Sequence, residues 1–465
     1  MSAQVLPRRT FSVPRDSGYA KVDTLEKLAG RPKSDFAQVI LKEALDNSLD
    51  ACETVGVTPE ITVSITPGAD QETVLLVVED NGPGISADTV TAFCDFTKST
   101  SDKAAYVSPT RGAQGNAWPL IISMPHALGV RPGTVVIEAL GTRHKITPDL
   151  VLGQRLTINS VSEPCERATG TRVIVPLPRS LELDVTRWVQ DYATVNSHAT
   201  FTVHTLAGYF CGNPETYKST GQGRFRKRVP SQPTSAWWYD ADRLRDLISS
   251  YLAAGDDKPV GTFVREFDGL KHTGKASRVI SKLPGVCRLS DFRDQPETIR
   301  RLVVVMQTLT RKVQPAALGK IPSDHYKAMI SGLFGISLGR FWHARKEVMS
   351  GGVPWGVDVV VAATERPGRV IYATNFGIAF DDPLANADLL PDVWSAATGA
   401  ASFLRRAGAY PDETNNYRRA AIVHVQCAAP RWTDTGKVKL IVPDSVCREF
   451  AGAFAKATKQ VRDER

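Results

Sequence analysis

Apolar residues recur three or four positions apart early in the chain and predict an amphipathic helix over residues 36–53. Its buried face consists of Phe36, Ile40, Ala44, Leu45, Leu49 and Cys52. Ser34 or Asp35 can cap the first turn. A polar stripe on the other face consists of Glu43, Asp46, Asn47 and Asp50. A solvated acidic face is the ordinary interpretation of such a stripe, but the segments that follow favour a functional one.

Two neighbouring strands follow this helix. Alternation predicts the first at residues 61–66, and an apolar run predicts a buried second strand at 74–78. The second strand runs directly into Glu79-Asp80-Asn81-Gly82-Pro83-Gly84-Ile85. Such a segment is ordinarily a tight turn. It also suits a ligand site, because glycines let the backbone approach a flat molecule while a carboxylate at the strand end accepts a hydrogen bond.

A polar segment over residues 97–114 then leads into an apolar helix that starts near Gly115. A loop that opens into a helix start can bind phosphate, because free backbone N–H groups and the helix dipole both face the anion. Any one of these three features could arise by chance.

The rest of the chain divides by pattern into strand-rich, helical and mixed parts. Strands are predicted at 135–137, 155–158 and 172–176, which favours a sandwich of helices and sheet over a parallel Rossmann sheet. Helices are predicted at 241–252, 260–267, 274–283 and 296–309. In the last third, predicted strands at 357–361, 370–373 and 421–425 alternate with helices at 388–406 and 444–461. We therefore expect an N-terminal arm and three domains, over residues 1–22, 23–222, 223–315 and 316–465.

Composition fits a soluble globular protein, since 42% of the 465 residues are hydrophobic and 23% are charged. An excess of 57 Lys and Arg over 49 Asp and Glu gives a net charge of +8, which is compatible with a nucleic-acid partner without requiring one. The 7 cysteines contain no Cys-x-x-Cys pair, so neither a zinc site nor a disulfide framework is indicated. With no apolar run of membrane-spanning length and no signal peptide, we expect a cytoplasmic protein without a membrane partner.

Three motifs together resemble the nucleotide site of the ATPase superfamily of gyrase, heat-shock chaperones, histidine kinases and MutL. They are Glu-Ala-Leu-Asp-Asn-Ser-Leu-Asp-Ala-Cys-Glu at 43–53, Asp-Asn-Gly-Pro-Gly-Ile at 80–85 and Thr-Arg-Gly-Ala-Gln-Gly at 110–115. Within the superfamily they are most similar to B subunits of DNA topoisomerase VI. The resemblance implies an α+β fold with a Bergerat-type ATPase sandwich, a small helical helix-two-turns-helix-like domain and an α/β transducer-like domain.

The same resemblance implies ATP and Mg²⁺ as cofactors and assigns the chemistry to three residues. Glu43 acts as general base for the water that attacks the terminal phosphate, and Asn47 holds the magnesium. Lys437, in Trp432-Thr-Asp-Thr-Gly-Lys437, reaches the terminal phosphate, where a cation stabilises the developing charge. Lys439 is a rival for this role, and an exposed turn lysine is the plain alternative.

The resemblance also implies which residues bind the nucleotide, including Thr171 in Ala168-Thr-Gly-Thr-Arg-Val-Ile-Val175. Asp80 receives the adenine amino group, Gly82 and Gly84 shape that pocket, and Thr171 lies near the ring. The lid over the phosphates consists of Gly112, Gln114 and Gly115. Ala113 stands where the family has a glutamine and Ala117 where it has a glycine, so we expect a stiffer phosphate cradle and leave the turnover rate open.

A cationic stripe in the helical part is the candidate DNA contact: Lys271, Lys275, Arg278 and Lys282. Solvated surface is the alternative. Nearby segments, 261–270 and 276–280, are similar to the helix-two-turns-helix insert of topoisomerase VI B subunits, which favours binding to a phosphate backbone. The basic stretch at 224–228 is interpreted as a linker.

Taken together, these features predict an ATP-dependent clamp that dimerises on ATP and captures DNA, with strand cleavage supplied by a topoisomerase VI A-like subunit. The family has a long C-terminal stalk that contacts this cleavage partner, whereas the present sequence ends at Arg465 with a short one, which leaves that partner open. The alternatives are a stand-alone DNA-clamping or remodelling ATPase, in defence or chromosome maintenance, and a non-hydrolysing interaction module. A histidine kinase is disfavoured because no helical His box precedes the ATPase motifs.

Overall fold

The computed structural model of the protein describes most of the chain. The described ranges are 15–96, 106–111, 116–150, 156–204, 206–207, 210–211, 214–221, 226–229, 231–389, 398–411, 418–433 and 439–463. The expected N-terminal arm therefore lies mostly outside them. Within these ranges, every helix is too short or too polar to cross a membrane.

The helices and strands fall into three successive regions, and the middle one is helical. The helices are α1 Val22–Ala29, α2 Phe36–Val55, α3 Ala87–Phe93, α4 Ala117–Ala127, α5 Val185–Val195, α6 Ala241–Ala253, α7 Val260–Val264, α8 Thr273–Ile280, α9 Pro296–Leu309, α10 Ser323–Phe334, α11 Gly399–Arg406 and α12 Asp444–Asp463. The strands are β1 Glu60–Pro67, β2 Thr73–Asp80, β3 Val135–Ala139, β4 Thr142–Leu150, β5 Leu156–Pro164, β6 Thr171–Pro178, β7 Thr200–His204, β8 Leu206–Ala207, β9 Phe210–Cys211, β10 Glu215–Tyr217, β11 Phe341–Ser350, β12 Val353–Ala363, β13 Val370–Thr374, β14 Gly377–Ile378 and β15 Arg419–Cys427.

The first sheet has 8 strands in the order β10-β7-β1-β2-β6-β3-β4-β5. Strands β1 and β7 are parallel, and the other neighbours in this sheet are antiparallel. Apolar residues of α1, α2, α4 and α5 share one buried cluster with β1, β2, β6 and β7. This is a layer of helices on a largely antiparallel sheet, so the predicted α+β sandwich is confirmed.

The helical region packs around its own buried cluster, formed mainly by α6, α7, α8 and α9. Helices α6 and α9 match the predicted ranges, but α7 and α8 end earlier than expected. After Val264 the backbone changes from α-helical hydrogen bonds to tighter turns, since Glu266 and Phe267 donate backbone hydrogen bonds to residues three positions back. After Ile280 the same tightening occurs at Lys282, ahead of the left-handed Gly285.

The second sheet has 5 strands in the order β11-β12-β15-β13-β14, with β13 and β15 parallel. Helices α11 and α12 share a buried cluster with β11, β12 and β15. The cluster of the first sheet also continues into α10, β13 and β15. Apolar contact therefore runs without a break from the first sheet to the second.

Candidate nucleotide site

Helix α2 begins without the side-chain cap expected from the sequence. Its N-cap residue, Asp35, makes no capping hydrogen bond, and the Ser34 hydroxyl donates to the Asp35 carboxylate at 3.2 Å. Asp35 instead accepts a hydrogen bond of 2.8 Å from Arg31 Nε. The capping prediction is therefore wrong, because an ion pair occupies the carboxylate and a 3-10 turn over Lys33–Asp35 leads into the helix.

The polar stripe of α2 is largely buried, so a solvated acidic face is excluded. Asp46 and Asp50 are 3% and 2% exposed. Asp46 accepts hydrogen bonds from Lys42 Nζ and from the Tyr192 hydroxyl, both at 2.8 Å. Asp50 accepts one from Arg111 Nη1, also at 2.8 Å. Both carboxylates thus have the polar partners that burial of a charge requires.

Glu43 and Asn47 lie one turn apart on α2, where their spacing places them on the same side of the helix. The Glu43 side chain is 19% exposed, and its Oε1 lies 3.4 Å from Lys42 Nζ. The Asn47 Nδ2 is buried and has no hydrogen-bond partner among the described residues. A buried polar group without a partner marks a place for water, an ion or a ligand.

Asp80 ends strand β2 directly opposite Thr171, the first residue of β6. One of its oxygens accepts hydrogen bonds from the backbone N–H groups of Gly82 at 2.9 Å and Thr171 at 3.2 Å. The other accepts one from the Ser48 hydroxyl of α2 at 3.0 Å. Burial raises the pKa of Asp80, because the charged form loses hydration. Since a carboxylate oxygen has two lone pairs, the oxygen bound by Ser48 can accept a second hydrogen bond.

Two glycines permit the close approach of backbone around Asp80. Gly170 has a φ of +69°, and a Cβ there would lie 2.0 Å from the Asp80 carbonyl oxygen. Gly84 has a φ of +82°, and a Cβ there would lie 2.9 Å from the Leu140 side chain. The Gly170 N–H donates to the Gly82 carbonyl at 3.0 Å, which joins the two loops. A side chain at Gly170 would displace the Asp80 backbone, and one at Gly84 would displace the Leu140 side chain.

Hydrogen bonds connect the predicted site residues across three elements. The Ser48 hydroxyl of α2 donates to Asp80 at the end of β2, and Asp80 also accepts from the Thr171 N–H of β6. Four predicted residues lie outside the described ranges: Gly112, Gln114, Gly115 and Lys437. The rival Lys439 is described and half-buried, and its carbonyl accepts a hydrogen bond of 3.0 Å from the Thr433 N–H.

No pattern in the sequence assigns a role to Arg111, whose side chain is 0% exposed. Its guanidinium donates to Asp50 and Glu53 on α2, to Asn196 after α5 and to the Phe376 carbonyl. Glu53 accepts two of these hydrogen bonds, at 2.9 and 2.8 Å. The motif at 110–115 contains this arginine, but its partners lie between 58 and 265 positions away.

Lys227 shows that the basic stretch at 224–228 is more than a linker. Its Nζ lies 2.5 Å from Glu53 Oε2, and both side chains are 4% exposed. His198 Nε2 lies 2.8 Å from the other Glu53 oxygen. Burial alone would raise the pKa of Glu53, but the charges of Arg111 and Lys227 hold it well below its usual value.

The cationic stripe is exposed but does not lie on one continuous helix. Lys275 and Arg278 are on α8, Lys271 precedes this helix and Lys282 follows it. All four are exposed, and none forms an ion pair with another described residue. The sequence has no acidic residue from 269 to 290, so no carboxylate within this segment offsets the charge of the stripe.

One protein family matches the part of the chain that contains most of these residues. Residues 33–180 match the family described as histidine kinase-, DNA gyrase B- and HSP90-like ATPase. That range contains α2, Asp80 and Thr171. A solved topoisomerase IV ATP-binding domain of Francisella tularensis, in complex with a small-molecule inhibitor, aligns over 91% of this chain and 84% of its own. With 10% identity and a TM-score of 0.35, this alignment supports no conclusion.

Curated relatives are described as B subunits of type 2 DNA topoisomerase 6. The Methanosarcina acetivorans protein is 48% identical over 83 residues, which are 18% of this chain and 13% of that protein. The Halobacterium salinarum protein is 56% identical over 46 residues, 10% of this chain and 6% of that protein. The Archaeoglobus fulgidus protein is 26% identical over 172 residues, 35% of this chain and 28% of that protein. The matched region thus spans less than a third of each relative.

Proposed function

We propose that this chain, whose residues 33–180 match the ATPase family of histidine kinases, gyrase B and HSP90, is an ATP-dependent clamp resembling the ATPase subunit of a type IIB DNA topoisomerase. Two copies close on ATP, capture a DNA segment and reopen after hydrolysis. The observation that carries the proposal is the Asp80 carboxylate, held by Ser48 and by two backbone N–H groups beside the helix with Glu43 and Asn47.

Adenine binds at Asp80 in this proposal. The carboxylate oxygen bound by Ser48 accepts a hydrogen bond from the adenine amino group, while the N–H groups of Gly82 and Thr171 orient the other oxygen. Leu140, which lies against Gly84 and is 49% exposed, offers apolar surface to the flat ring.

The residues at the other end of the site fit Mg²⁺. This ion prefers oxygen ligands, keeps several waters and is usually held by one or two protein groups together with substrate phosphates. The Asn47 amide oxygen supplies such a ligand, and its buried Nδ2, which has no partner among the described residues, can donate a hydrogen bond to a phosphate oxygen or a water beside the ion. When bound, the ion neutralises charge on the phosphates. Glu43, one turn earlier, orients and deprotonates the attacking water.

The remaining assignments follow the expected division into domains over 23–222, 223–315 and 316–465. The helical domain binds the DNA backbone through the cationic stripe, because unpaired Lys and Arg side chains attract phosphates without reading sequence. The transducer-like domain supplies Lys437 to the terminal phosphate. A topoisomerase VI A-like subunit is the proposed partner for strand cleavage.

Hydrolysis and dimerisation test the proposal directly. Wild-type protein should form dimers with a non-hydrolysable ATP analogue, seen by light scattering, and its turnover should rise with supercoiled DNA. Glu43→Ala should retain analogue binding and dimerisation but lose turnover by about 100-fold or more, because the general base is missing. Glu297→Ala is the control, since Glu297 is a surface residue whose side chain is 78% exposed.

Loss of nucleotide binding in Glu43→Ala would contradict the general-base role. A wild-type protein that binds ATP but neither dimerises nor hydrolyses it would contradict the clamp.

A further inference from the structure

We propose that residues 106–111 form a strap that couples DNA contact at the helical region to the ATP site, with Tyr106 as its outer anchor. This inference rests on the proposed function, since it presupposes ATP hydrolysis and DNA binding. Within six residues the strap passes from α6 and the turn after α7 to the C-terminal half of α2.

The outer end of the strap is bound to a carboxylate of the helical region. The Tyr106 hydroxyl hydrogen-bonds to the Tyr251 hydroxyl and lies 3.2 Å from Glu266 Oε2. Tyr251 donates to the same Glu266 oxygen at 2.6 Å, and Lys258 Nζ binds the other oxygen at 2.9 Å. Two phenols from different parts of the chain thus share one carboxylate.

The next residue fixes the strap to the interior of the helical region. The Val107 N–H donates to the Tyr239 hydroxyl at 2.8 Å, and its carbonyl accepts from the Thr234 hydroxyl at 2.8 Å. Tyr239 and Thr234 are 3% and 4% exposed. Thr234 also accepts, at its carbonyl, a hydrogen bond of 2.7 Å from the Asp268 N–H.

These contacts place the anchor beside the proposed DNA surface. Glu266 and Asp268 belong to the turn that leads from α7 to Lys271, the first cation of the stripe. The strap therefore contacts the same short turn from which the stripe begins. A phosphate backbone bound at Lys271 acts on the same turn that holds Tyr106.

The inner end of the strap holds the helix that carries the proposed chemistry. Arg111 binds Asp50 and Glu53, which follow Asn47 within two turns of α2. The preceding carbonyl, of Thr110, accepts a hydrogen bond of 3.3 Å from Asn375 Nδ2 in the second-sheet region. A displacement at Tyr106 is thus transmitted through a short, doubly anchored segment to α2.

Coupling requires that the contacts of Tyr106 differ in strength between the DNA-free and DNA-bound states, because only such a difference shifts an equilibrium. Removing the anchor should therefore abolish the response to DNA while sparing the two sites themselves. Among the described residues, the Tyr106 hydroxyl binds Tyr251 and Glu266, which belong neither to the stripe nor to the set assigned to nucleotide, so we expect basal hydrolysis and DNA affinity to remain as in the wild type.

The experiment compares wild type, Tyr106→Phe, Tyr106→Ala and the control Tyr217→Phe in the full chain. Tyr217 is matched, because its hydroxyl also donates to a carboxylate, that of Glu215 at 2.6 Å, on the first sheet away from the strap. Basal hydrolysis, stimulation by supercoiled DNA, DNA affinity and melting temperature are measured for each. We expect Tyr106→Ala to reduce the stimulation ratio by about five-fold or more, with the control unchanged.

A double-mutant cycle locates the effect. If Tyr106 acts through Glu266, then Tyr106→Phe combined with Glu266→Gln should lose no more stimulation than the stronger single variant. Intact stimulation in Tyr106→Ala, or loss of basal hydrolysis together with a lower melting temperature, would overturn the strap. A wild type that hydrolyses ATP without any response to DNA would instead overturn the proposed clamp, and the strap with it.

Discussion

At the scale of single residues, Gly170 is the position where backbone geometry acts most directly on Asp80, the proposed adenine-binding residue. A Cβ there would lie 2.0 Å from the Asp80 carbonyl oxygen, at a φ of +69°. Gly170→Ala should therefore destabilise the fold by at least about 2 kcal/mol and weaken nucleotide binding, because strain and a backbone clash add. Denaturant unfolding and binding of a fluorescent ATP analogue measure the two effects.

Gly141→Ala is the matched control. Gly141 has a similar φ of +77°, but a Cβ there would come no closer than 3.9 Å to another atom. The Gly141→Ala substitution should lower the free energy of unfolding only by the backbone strain, roughly 1–2 kcal/mol, and should leave nucleotide affinity unchanged. Equal losses of stability and affinity in both variants would show that strain alone, and not contact with Asp80, explains the effect.

The sequence reveals which residues can do chemistry better than it reveals what holds them. Glu43, Asn47 and Asp80 stand in short motifs, and local spacing suffices to place them. Ser48 lies inside a motif, yet its hydrogen bond to Asp80 spans 32 positions. Lys227 lies in a stretch whose composition is typical of a linker, and its burial against Glu53 depends on how distant segments pack. Such contacts are set by tertiary structure, which periodicity does not encode.

At the scale of elements, the exposed pair on α8 should contribute to DNA binding through charge alone. Lys275→Glu combined with Arg278→Glu should lower DNA affinity and flatten its salt dependence, because fewer counterions are released per complex. Fluorescence anisotropy over a range of salt concentrations measures both.

The control for this pair is Lys456→Glu with Lys459→Glu on α12. These two residues are exposed, have the same spacing and undergo the same change of charge. They should leave the salt slope as in the wild type. An equal change of slope in both pairs would refute a localised contact at the stripe and leave only an effect of net charge.

Element type was predictable, whereas element ends were less so. Helix α9 has the predicted bounds, because Pro296 supplies a strong start signal. Helix α8 stops at Ile280, although the cationic spacing continues to Lys282. Periodicity of side chains persists through a tight turn, so it cannot show where the backbone leaves the helix. The failed cap prediction at the start of α2 has a similar cause. The local pattern does not show that Arg31 binds the Asp35 carboxylate.

At the scale of the whole molecule, buried His424 should make stability fall in mild acid. Its Nε2 accepts a hydrogen bond from the Phe376 N–H, and burial lowers its pKa from 6.5 to about 3. The unfolded chain therefore binds more protons below pH 6.5, and this histidine alone removes up to about 1.4 kcal/mol of stability per pH unit between 6.5 and 3. Chemical denaturation between pH 4.5 and 7, within roughly the range where proteins stay soluble and folded, measures the slope.

In His424→Gln, the free energy of unfolding should change less steeply with pH, because up to one proton fewer is bound on unfolding. This holds even if the variant is less stable at neutral pH. The exposed His204 offers the control, and His204→Gln should keep the wild-type slope. A slope in His424→Gln equal to that of the wild type would show that other groups account for acid sensitivity.

The unbroken apolar cluster between the two sheets has a consequence for how the molecule opens. Ile40 of α2, Tyr326 of α10 and Ile422 of β15 belong to one cluster, whereas α6 to α9 close around another. Because apolar burial supplies most of the free energy of folding, residues that share a cluster lose their protection together. We therefore expect the two sheets to open as one cooperative unit and the helical region as a second, so that the helical region exchanges its amide hydrogens while the proposed nucleotide site stays intact.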